Sequence, residues 1–432
     1  VLSSDDDPQD SGKQRGIPPV HGTLPKVRIQ INQQDLTMDV NLLVNEAEEL
    51  FPFSQALRRD FHRHPELGYH EIYTAEVISR ELRNMGLHPT TGIAETGVVT
   101  VIEGRKSSPV ILLRFDMDAL SVEEETGAEY ASENPGCMHA CGHDGHMAIG
   151  LTIARLLTAH KQELNGSVKI IFQPAEEGLN GAERMVNDGV LENPPVKAAL
   201  GMHLWNEKPI GWVGVTKGPI MAGSAIFDIM ITGHGGHGAL PHQTNDPIVT
   251  ASQVVMGLQT IVSRNIPPVE GAVISVTEFH SGEAFNIIPP CARLGGTIRW
   301  YEESVREILM ERFTQVTQGI CTTMGCTAKI DIKLITPAVV NHPEITELVG
   351  KIIHQHFPDR EMDSAYRTMG SEDFAFILQK VPGCFLLVGS ANHELGLDFG
   401  HHHPRFDFDE AILPEASAML AFLVFQILER LN

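Results

Sequence analysis

Cysteine is scarce in this sequence, basic residues are outnumbered, and long apolar runs are missing. Six cysteines among 432 residues are too few for a disulfide scaffold. We predict reduced thiols, although a Cys321–Cys326 bridge is conceivable. No apolar run is long enough to cross a membrane. The 32 Lys and Arg residues against 55 Asp and Glu residues give a net charge of −23, which argues against a nucleic-acid surface. We therefore expect neither a membrane nor a nucleic-acid partner.

The length and the N-terminal segment indicate how the chain is organised. A chain of 432 residues can bury the cores of two or more domains. Residues 1–38 are polar and lack sustained periodicity, so we predict a flexible N-terminal extension. The chain begins with Val1 and shows no signal peptide, which leaves a removed leader open. We expect a cytoplasmic location, with a secreted or periplasmic one as the alternative.

Apolar strands alternate with helical segments from about residue 40, which predicts an α/β fold with a buried sheet. We assign residues 39–215 and 336–432 to two parts of one domain. Residues 216–335 follow a β-α-β-β-α-β order, which predicts an inserted ferredoxin-like α+β domain. In the first part, ionisable residues follow the ends of predicted strands, where sites of open α/β sheets lie. They are Asp116, Asp118, Glu176, Glu177 and His203.

The stretch from Cys137 to His146 holds two thiols, three imidazoles and a carboxylate within ten residues. Thiolate and imidazole are the usual ligands of zinc and related divalent ions. On one helix, Cys141 and His143 would point about 200° apart and could not share a metal. In a glycine-loosened loop that enters the predicted helix Met147–Leu157 they could. The stretch therefore predicts half of a metal site.

Two adjacent glutamates, Glu176 and Glu177, follow a predicted strand and a Gln-Pro-Ala turn. Most adjacent glutamates lie on solvated surfaces. Here the turn follows a strand end, and neighbouring side chains of an extended chain point in opposite directions. One carboxylate can thus bind metal while the other acts as a general base.

Histidines elsewhere in the chain could complete a metal site. His203 ends an apolar strand, a position where a lone histidine is more often structural. The run His401, His402 and His403 is either a histidine-rich surface loop or the source of a ligand. The residues alone do not distinguish among the three.

The segment Gly233–Gly238 matches the glycine pattern of dinucleotide-binding proteins. That interpretation fails because no helix follows directly and no acidic residue lies near Leu258. We interpret the segment as a glycine-rich loop that presents His237. The G-x-S-x-G and H-E-x-x-H motifs of other hydrolases are absent.

Together, these motifs resemble those of the M20 metallopeptidase family, in particular its amidohydrolase branch. That branch includes hippurate hydrolases, indole-acetyl-amino-acid hydrolases and N-acetyl-amino-acid deacetylases. The matching stretches run in order through the chain and are HRHPELGYHE (62–71), LRFDMDAL (113–120), MHACGHDGH (138–146), FQPAEEG (172–178), GMHLW (201–205), GHGGHGALPH (233–242), DPI (246–248), NIIP (286–289), GTIR (296–299), GSEDF (370–374) and HHPRFDFDE (402–410). The resemblance implies a zinc-peptidase-like α/β/α catalytic domain with an inserted lid and dimerisation domain.

The resemblance also implies roles for individual residues. Two divalent ions per subunit, zinc or manganese, would be held by five ligands, which are Cys141 in the bridging position, His143, Glu177, His203 and His402. Glu176 resembles the general base and Asp116 an aspartate that orients the site. His237 resembles a lid histidine that reaches the active site of the partner subunit. Asn286 and Arg299 resemble contacts to the substrate carboxylate.

The predicted activity is that of a metal-dependent amidohydrolase. It would cleave N-acetyl, benzoyl or aryl-acyl amino acids to a carboxylic acid and a free amino acid. The alternatives are a dipeptidase or carboxypeptidase of the same fold, or a catalytically silent binding homologue. Other branches carry a histidine ligand where this chain has Arg114 and an aspartate where it has Cys141, so the implied ligand set is that of the amidohydrolase branch.

The resemblance also implies a homodimer or higher homo-oligomer that forms through the inserted domain.

Overall fold

The alternating strands and helices fold into two main sheets, each covered by its own helices, and two short two-stranded ribbons. The computed structural model describes residues 38–431, so the predicted N-terminal extension lies outside the described residues except for Met38. The helices are α1 Val40–Glu49, α2 Phe51–Arg63, α3 Ile72–Asn84, α4 His143–Ala159, α5 Gly181–Asn187, α6 Pro247–Asn265, α7 Glu303–Thr323, α8 Pro343–His356, α9 Ala375–Leu378 and α10 Ile412–Leu428. The strands are β1 Thr90–Ile93, β2 Gly97–Glu103, β3 Val110–Asp116, β4 Ser167–Gln173, β5 Ala198–Pro209, β6 Trp212–Gly214, β7 Gly218–Met221, β8 Gly223–Thr232, β9 Gly236–His237, β10 Ala272–His280, β11 Ile287–Ile288, β12 Cys291–Trp300, β13 Thr327–Thr336, β14 Val339–Asn341, β15 Glu361–Asp363 and β16 Gly383–Ala391.

The larger sheet has eight strands in the order β1-β2-β4-β3-β5-β16-β6-β15. Its centre is parallel, because β3 pairs in parallel with β4 and β5, and β16 pairs in parallel with β5. Every residue of β3, β4 and β16 is buried, as their nearly continuous apolar sequences predict. One face packs on α4 and α10, and the other packs on α5 and α9. The predicted α/β class is confirmed.

The smaller sheet takes its strands and helices from residues 223–336, against a predicted inserted domain of 216–335. Its four strands are antiparallel in the order β10-β12-β8-β13. Helices α6 and α7 cover one face and enclose a separate apolar core. Where the chain leaves and re-enters the larger unit, β7 pairs with β14.

Several element boundaries differ from the sequence-based expectation. The predicted single helix from Val40 divides into α1 and α2 next to Pro52, which lies in the first turn of α2, where a missing N–H is tolerated. Helix α4 begins at His143 rather than Met147, after Gly142 in a left-handed conformation with φ of 86°. All six cysteines are free thiols, as predicted. Among residues 38–431, no helix is long and apolar enough to cross a membrane.

Candidate metal and active site

Three neighbouring strands of the larger sheet bring predicted site residues to one edge. Strand β3 lies between β4 and β5 and is parallel to both, so their carboxyl ends share that edge. Strand β3 ends at Asp116, the turn after β4 carries Glu176, and β5 carries His203. The N-terminus of α4 meets them there, since the rings of His143 and His203 are 5.9 Å apart.

All five predicted ligands come together at this edge. Sγ of Cys141 lies 3.4 Å from Nε2 of His203. Potential ligand atoms within 4.8 Å of one another form two triplets that share Cys141. One triplet adds His143 and His203, and the other adds Glu177 and His402. A thiol common to two triplets is the arrangement that a bridging ligand between two ions requires.

Backbone carbonyl groups fix the orientation of two of these imidazoles. His143 donates from Nδ1 to the carbonyl oxygen of Asp118 at 2.8 Å. His203 donates from Nδ1 to the carbonyl oxygen of Leu204 at 2.6 Å. Because a carbonyl oxygen can only accept, both Nδ1 atoms carry the proton and both Nε2 atoms are left as ligand atoms.

The structure distinguishes among the three consecutive histidines. His401 donates from Nε2 to the carbonyl oxygen of Leu204 at 2.9 Å, so that nitrogen is already occupied. His403 stacks against an aromatic ring on the surface. Nε2 of His402 lies 3.2 Å from Oε1 of Glu177, although not in hydrogen-bond geometry. Only His402 of the three therefore joins the ligand cluster.

The donor set fits divalent metal ions. Nε2 of His143 and Oε1 of Glu177 are buried and have no hydrogen-bond partner in the part of the chain that the structure describes. Burial lowers the pKa of His143, but the carboxylates of Asp116 and Asp118 outweigh this and raise it to about 10. That surplus of negative charge favours a cation. Burial, together with nearby histidines, holds the pKa of His203 well below its usual value, which favours the neutral imidazole that a metal requires.

Asp116 lies directly behind the ligands. Its Oδ1 accepts from Nδ1 of His146 at 2.5 Å, and its Oδ2 lies 3.5 Å from Nε2 of His143. The other nitrogen of His146 accepts from the backbone N–H of Leu204 at 2.9 Å. His146 lies inside the first turn of α4, because α4 starts earlier than predicted, and its ring turns towards Asp116.

Sequence reasoning assigned no role to the buried cluster around Arg114. Its guanidinium donates to Asp116, to Glu372 and to Asp373, at 2.6, 2.7 and 3.2 Å. Asp373 in turn donates its backbone N–H to Oε1 of Glu176, at 3.4 Å. The only signal of this cluster in the sequence is the GSEDF stretch, which supplies both acids.

A cleft of about 400 Å³ opens between the two sheets at the ligand cluster. Cys141, Glu176 and His402 line it from the larger unit, and Arg299 lines it from β12 of the smaller one. A larger cavity of about 690 Å³ beside Lys169 contains none of the predicted site residues. The chemistry of its lining, and not its size, identifies the smaller cleft as the candidate active site.

Two predicted site residues lie outside both this cleft and the ligand cluster. His237 pairs with Ile287 in the short ribbon of β9 and β11, and Asn286 directly precedes β11, where its carbonyl oxygen accepts from the N–H of Gly238 at 2.8 Å. His237 is exposed, and its Nδ1 accepts from the backbone N–H of Ala239 at 3.1 Å. A single chain therefore brings Arg299 to the cleft and leaves His237 and Asn286 outside it.

Comparisons with known proteins identify a family and several relatives that this chain resembles over most of its length. Residues 112–426 match the family model described as peptidase family M20/M25/M40. The chain is 38% identical over 403 residues to the IAA-amino acid hydrolase ILR1-like 4 of Arabidopsis thaliana, covering 90% of this chain and 89% of the relative. It is 38% identical over 378 residues to thermostable carboxypeptidase 1 of Saccharolobus solfataricus, covering 87% of this chain and 95% of the relative. The crystal structure of the Bacillus subtilis YXEP protein, a dinuclear metal binding peptidase from the M20 family, superimposes with a TM-score of 0.77 at 34% identity, covering 89% of this chain and 99% of that one.

Proposed function

Because the chain belongs to peptidase family M20/M25/M40 and is a hydrolase of amide bonds, we propose that it cleaves N-acyl amino acids. The products are a carboxylic acid and a free amino acid, and Glu176 is the general base. The plant relative is named for IAA-amino acids and the archaeal one is a carboxypeptidase. Both kinds of substrate carry a free carboxylate on the amine side of the amide bond.

The observation that carries this proposal is the environment of Arg299. Its guanidinium is half-buried in the cleft, and its hydrogen bonds go to the hydroxyl of Thr297 and the carbonyl oxygen of Ile298. No carboxylate of residues 38–431 pairs with it. Burial lowers the pKa of Arg299 from its usual value, and no neighbouring carboxylate raises it again. Because a guanidinium is always protonated in proteins, the half-buried group is a cation without a counter-ion. The carboxylate of a substrate would supply the missing counter-ion, because a guanidinium group can form two parallel hydrogen bonds to a carboxylate.

Glu176 is suited to move the proton. It is 9% exposed, lies beside the ligand Glu177, and has its Oε1 held by the N–H of Asp373. Burial first, and then the carboxylates of Glu372 and Glu177, raise its pKa well above the usual range. A carboxylate with a raised pKa is a better base near neutral pH. Glu176 accepts a proton from the attacking water and returns it to the leaving amine.

The metal ions would be held by the five clustered ligands, with Cys141 shared between the two. When bound, two divalent ions supply a Lewis acid for the amide carbonyl and lower the pKa of water. The thiol favours zinc on softness, and manganese is the alternative. The proton transfers of the reaction are assigned to the side chain of Glu176.

Arg299→Ala tests the substrate class. We expect KM for N-acetyl, N-benzoyl and indole-acetyl amino acids to rise about 10- to 100-fold with little change in kcat, because charge-assisted hydrogen bonds are lost. Arg293 lies on the same strand but is paired with Asp228, so Arg293→Ala is the matched control and should leave KM unchanged. The assay includes substrates whose carboxylate is converted to a carboxamide, and dipeptides. If the wild-type enzyme hydrolysed acids and carboxamides equally well, carboxylate recognition would be excluded, and a preference for dipeptides would favour the peptidase activity.

We also propose that the protein is a homodimer formed through the smaller unit. His237 and Asn286 lie outside the cleft of their own chain, and next to them Phe285 is fully exposed and Ile287 is 58% exposed. In a dimer this ribbon would cover apolar surface and carry His237 to the partner subunit, where it stabilises the tetrahedral oxyanion.

Mixing two inactive variants tests this arrangement. His237→Ala and Glu176→Gln should each be inactive, but after subunit exchange their mixture should regain part of the activity, since one site of each mixed dimer has both residues. Light scattering and subunit exchange are checked on the same samples. Verified exchange without recovery of activity would show that His237 acts within its own chain or not at all.

A further inference from the structure

The loop that carries Glu176 and Glu177 contains a strained residue. Ala175 has φ of 54°, in the left-handed region that residues other than glycine rarely adopt. It is also fully buried, so its backbone N–H has no access to water. A conformation of this kind persists only when the surroundings hold it. Because Glu176 follows directly, the backbone angles of Ala175 set the direction in which the Glu176 side chain leaves the loop.

Two carboxylates from outside the loop hold the amides on either side of Glu176. The N–H of Ala175 donates to Oε1 of Glu71 at 2.9 Å. The N–H of Glu177 donates to Oδ2 of Asp118 at 3.0 Å. The carbonyl oxygen of Asp118 also accepts a hydrogen bond from the predicted ligand His143. Glu71, in contrast, is not among the potential metal ligands.

Glu71 is itself fixed in place. It is fully buried at the start of α3, and its second oxygen accepts from the hydroxyl of Thr96 at 2.6 Å. It does not line the cleft and belongs to no cluster of potential ligands. Within residues 38–431, its one hydrogen bond to the Glu176 loop is therefore the one from Ala175, and its only other influence there is the charge repulsion between its carboxylate and that of Asp118.

We propose that Glu71 is a positioning residue for the reaction, which acts on Glu176 through the backbone of Ala175. This inference rests on the proposed role of Glu176 as general base. Without the acceptor, the buried N–H of Ala175 loses its partner and the left-handed conformation loses its support. The loop then relaxes, and the Glu176 carboxylate moves from the position that proton transfer requires.

Glu71→Ala should lower kcat about 10- to 100-fold, the range for a displacement of about 1 Å, while KM and bound metal stay unchanged. Glu71→Gln keeps an oxygen for Ala175, and burial raises the pKa of Glu71 to about 7, so a neutral side chain is a close substitute. We expect Glu71→Gln to restore most of kcat. Metal content is measured by mass spectrometry on the purified holoenzyme, beside melting temperature.

Glu66→Ala is the matched control. Glu66 lies in the same sequence stretch and accepts from the N–H groups of Tyr73 and Thr74 at 3.1 and 3.0 Å, so it also supports α3 but does not touch the Glu176 loop. It should lower the melting temperature and leave kcat unchanged. An equal loss of kcat in Glu66→Ala and Glu71→Ala would overturn the positioning role, because both would then act through the stability of α3.

A double variant separates this inference from the proposed base. If Glu71 acts through Glu176, adding Glu71→Ala to Glu176→Gln should not lower the residual rate further. A further loss in the double variant, loss of metal in Glu71→Ala, or wild-type kcat in Glu71→Ala would each overturn the positioning role. Wild-type turnover by Glu176→Gln alone would instead refute the base assignment of the proposed function.

Discussion

Glu176→Gln should lower kcat about 10²- to 10⁴-fold and leave the metal ions bound. Glutamine keeps the size of the side chain and an oxygen for the N–H of Asp373, so the loop geometry is retained. It cannot accept the proton that a general base must take, and general base catalysis contributes a factor of this size. KM should change little, because Arg299 and the metal ligands are untouched. The measurement is steady-state kinetics on an N-acyl amino acid, with metal analysis of the same preparation.

Glu177→Gln is the comparison that isolates the role of Glu176. The two residues are adjacent and both lie close to His143, but Oε1 of Glu177 is buried, unpaired and directed at His402. Glu177→Gln should therefore lower metal content, whereas Glu176→Gln should not. A kcat within about tenfold of wild type for Glu176→Gln would mean that another group takes the proton, since loss of a general base costs more. Loss of metal from Glu176→Gln would make it a ligand instead.

The sequence predicted the elements that rest on local pattern. The α/β class and strands such as β2 and β4 follow from apolar runs of strand length. Asp116 ends β3 as predicted, but His203 does not end its strand, because β5 continues to Pro209. The two residues still meet, since β3 and β5 are parallel neighbours in which Arg114 pairs with Gly201. The cluster of Cys141 and His143 could be expected because those side chains are close in sequence. The choice of His402 over its two neighbours came only from a family pattern, and the structure adds a physical reason in the hydrogen bond of His401 to Leu204.

Long-range polar contacts could not be predicted in the same way. Arg114 and Glu372 are 258 residues apart, and nothing in the periodicity of either segment indicates that they pair. The start of α4 was also misplaced, because Gly142 and His143 have weak helix propensity and tertiary contacts of His143 and His146 outweigh it. Such contacts depend on which strands become neighbours, and sequence pattern alone does not determine that order.

Arg114→Met should destabilise the fold by about 3–5 kcal/mol at neutral pH, because it leaves buried carboxylates without their counter-ion. Arg114 is fully buried and makes hydrogen bonds to Asp116, Glu372, Asp373 and Gln173. Methionine fills much of the volume but offers no donor. Urea denaturation should show the loss as a lower midpoint. Arg80→Met removes an exposed ion pair with Glu81 and is the control, expected to leave the midpoint unchanged.

The loss of folding stability caused by Arg114→Met should grow as pH rises from about 5 to 8. Burial already raises the pKa of Glu372 and of Asp373, and Arg114 opposes that rise. Without the guanidinium, both folded-state pKa values rise further above the unfolded values of about 4. The folded state then binds more protons than the unfolded state, so its stability is retained below the unfolded pKa and lost as pH rises through the folded pKa. Adding Glu372→Gln and Asp373→Asn to Arg114→Met should recover stability and flatten this pH dependence. A deficit that does not change with pH, and that the added amides do not relieve, would show that Arg114 stabilises the fold by packing and not by charge.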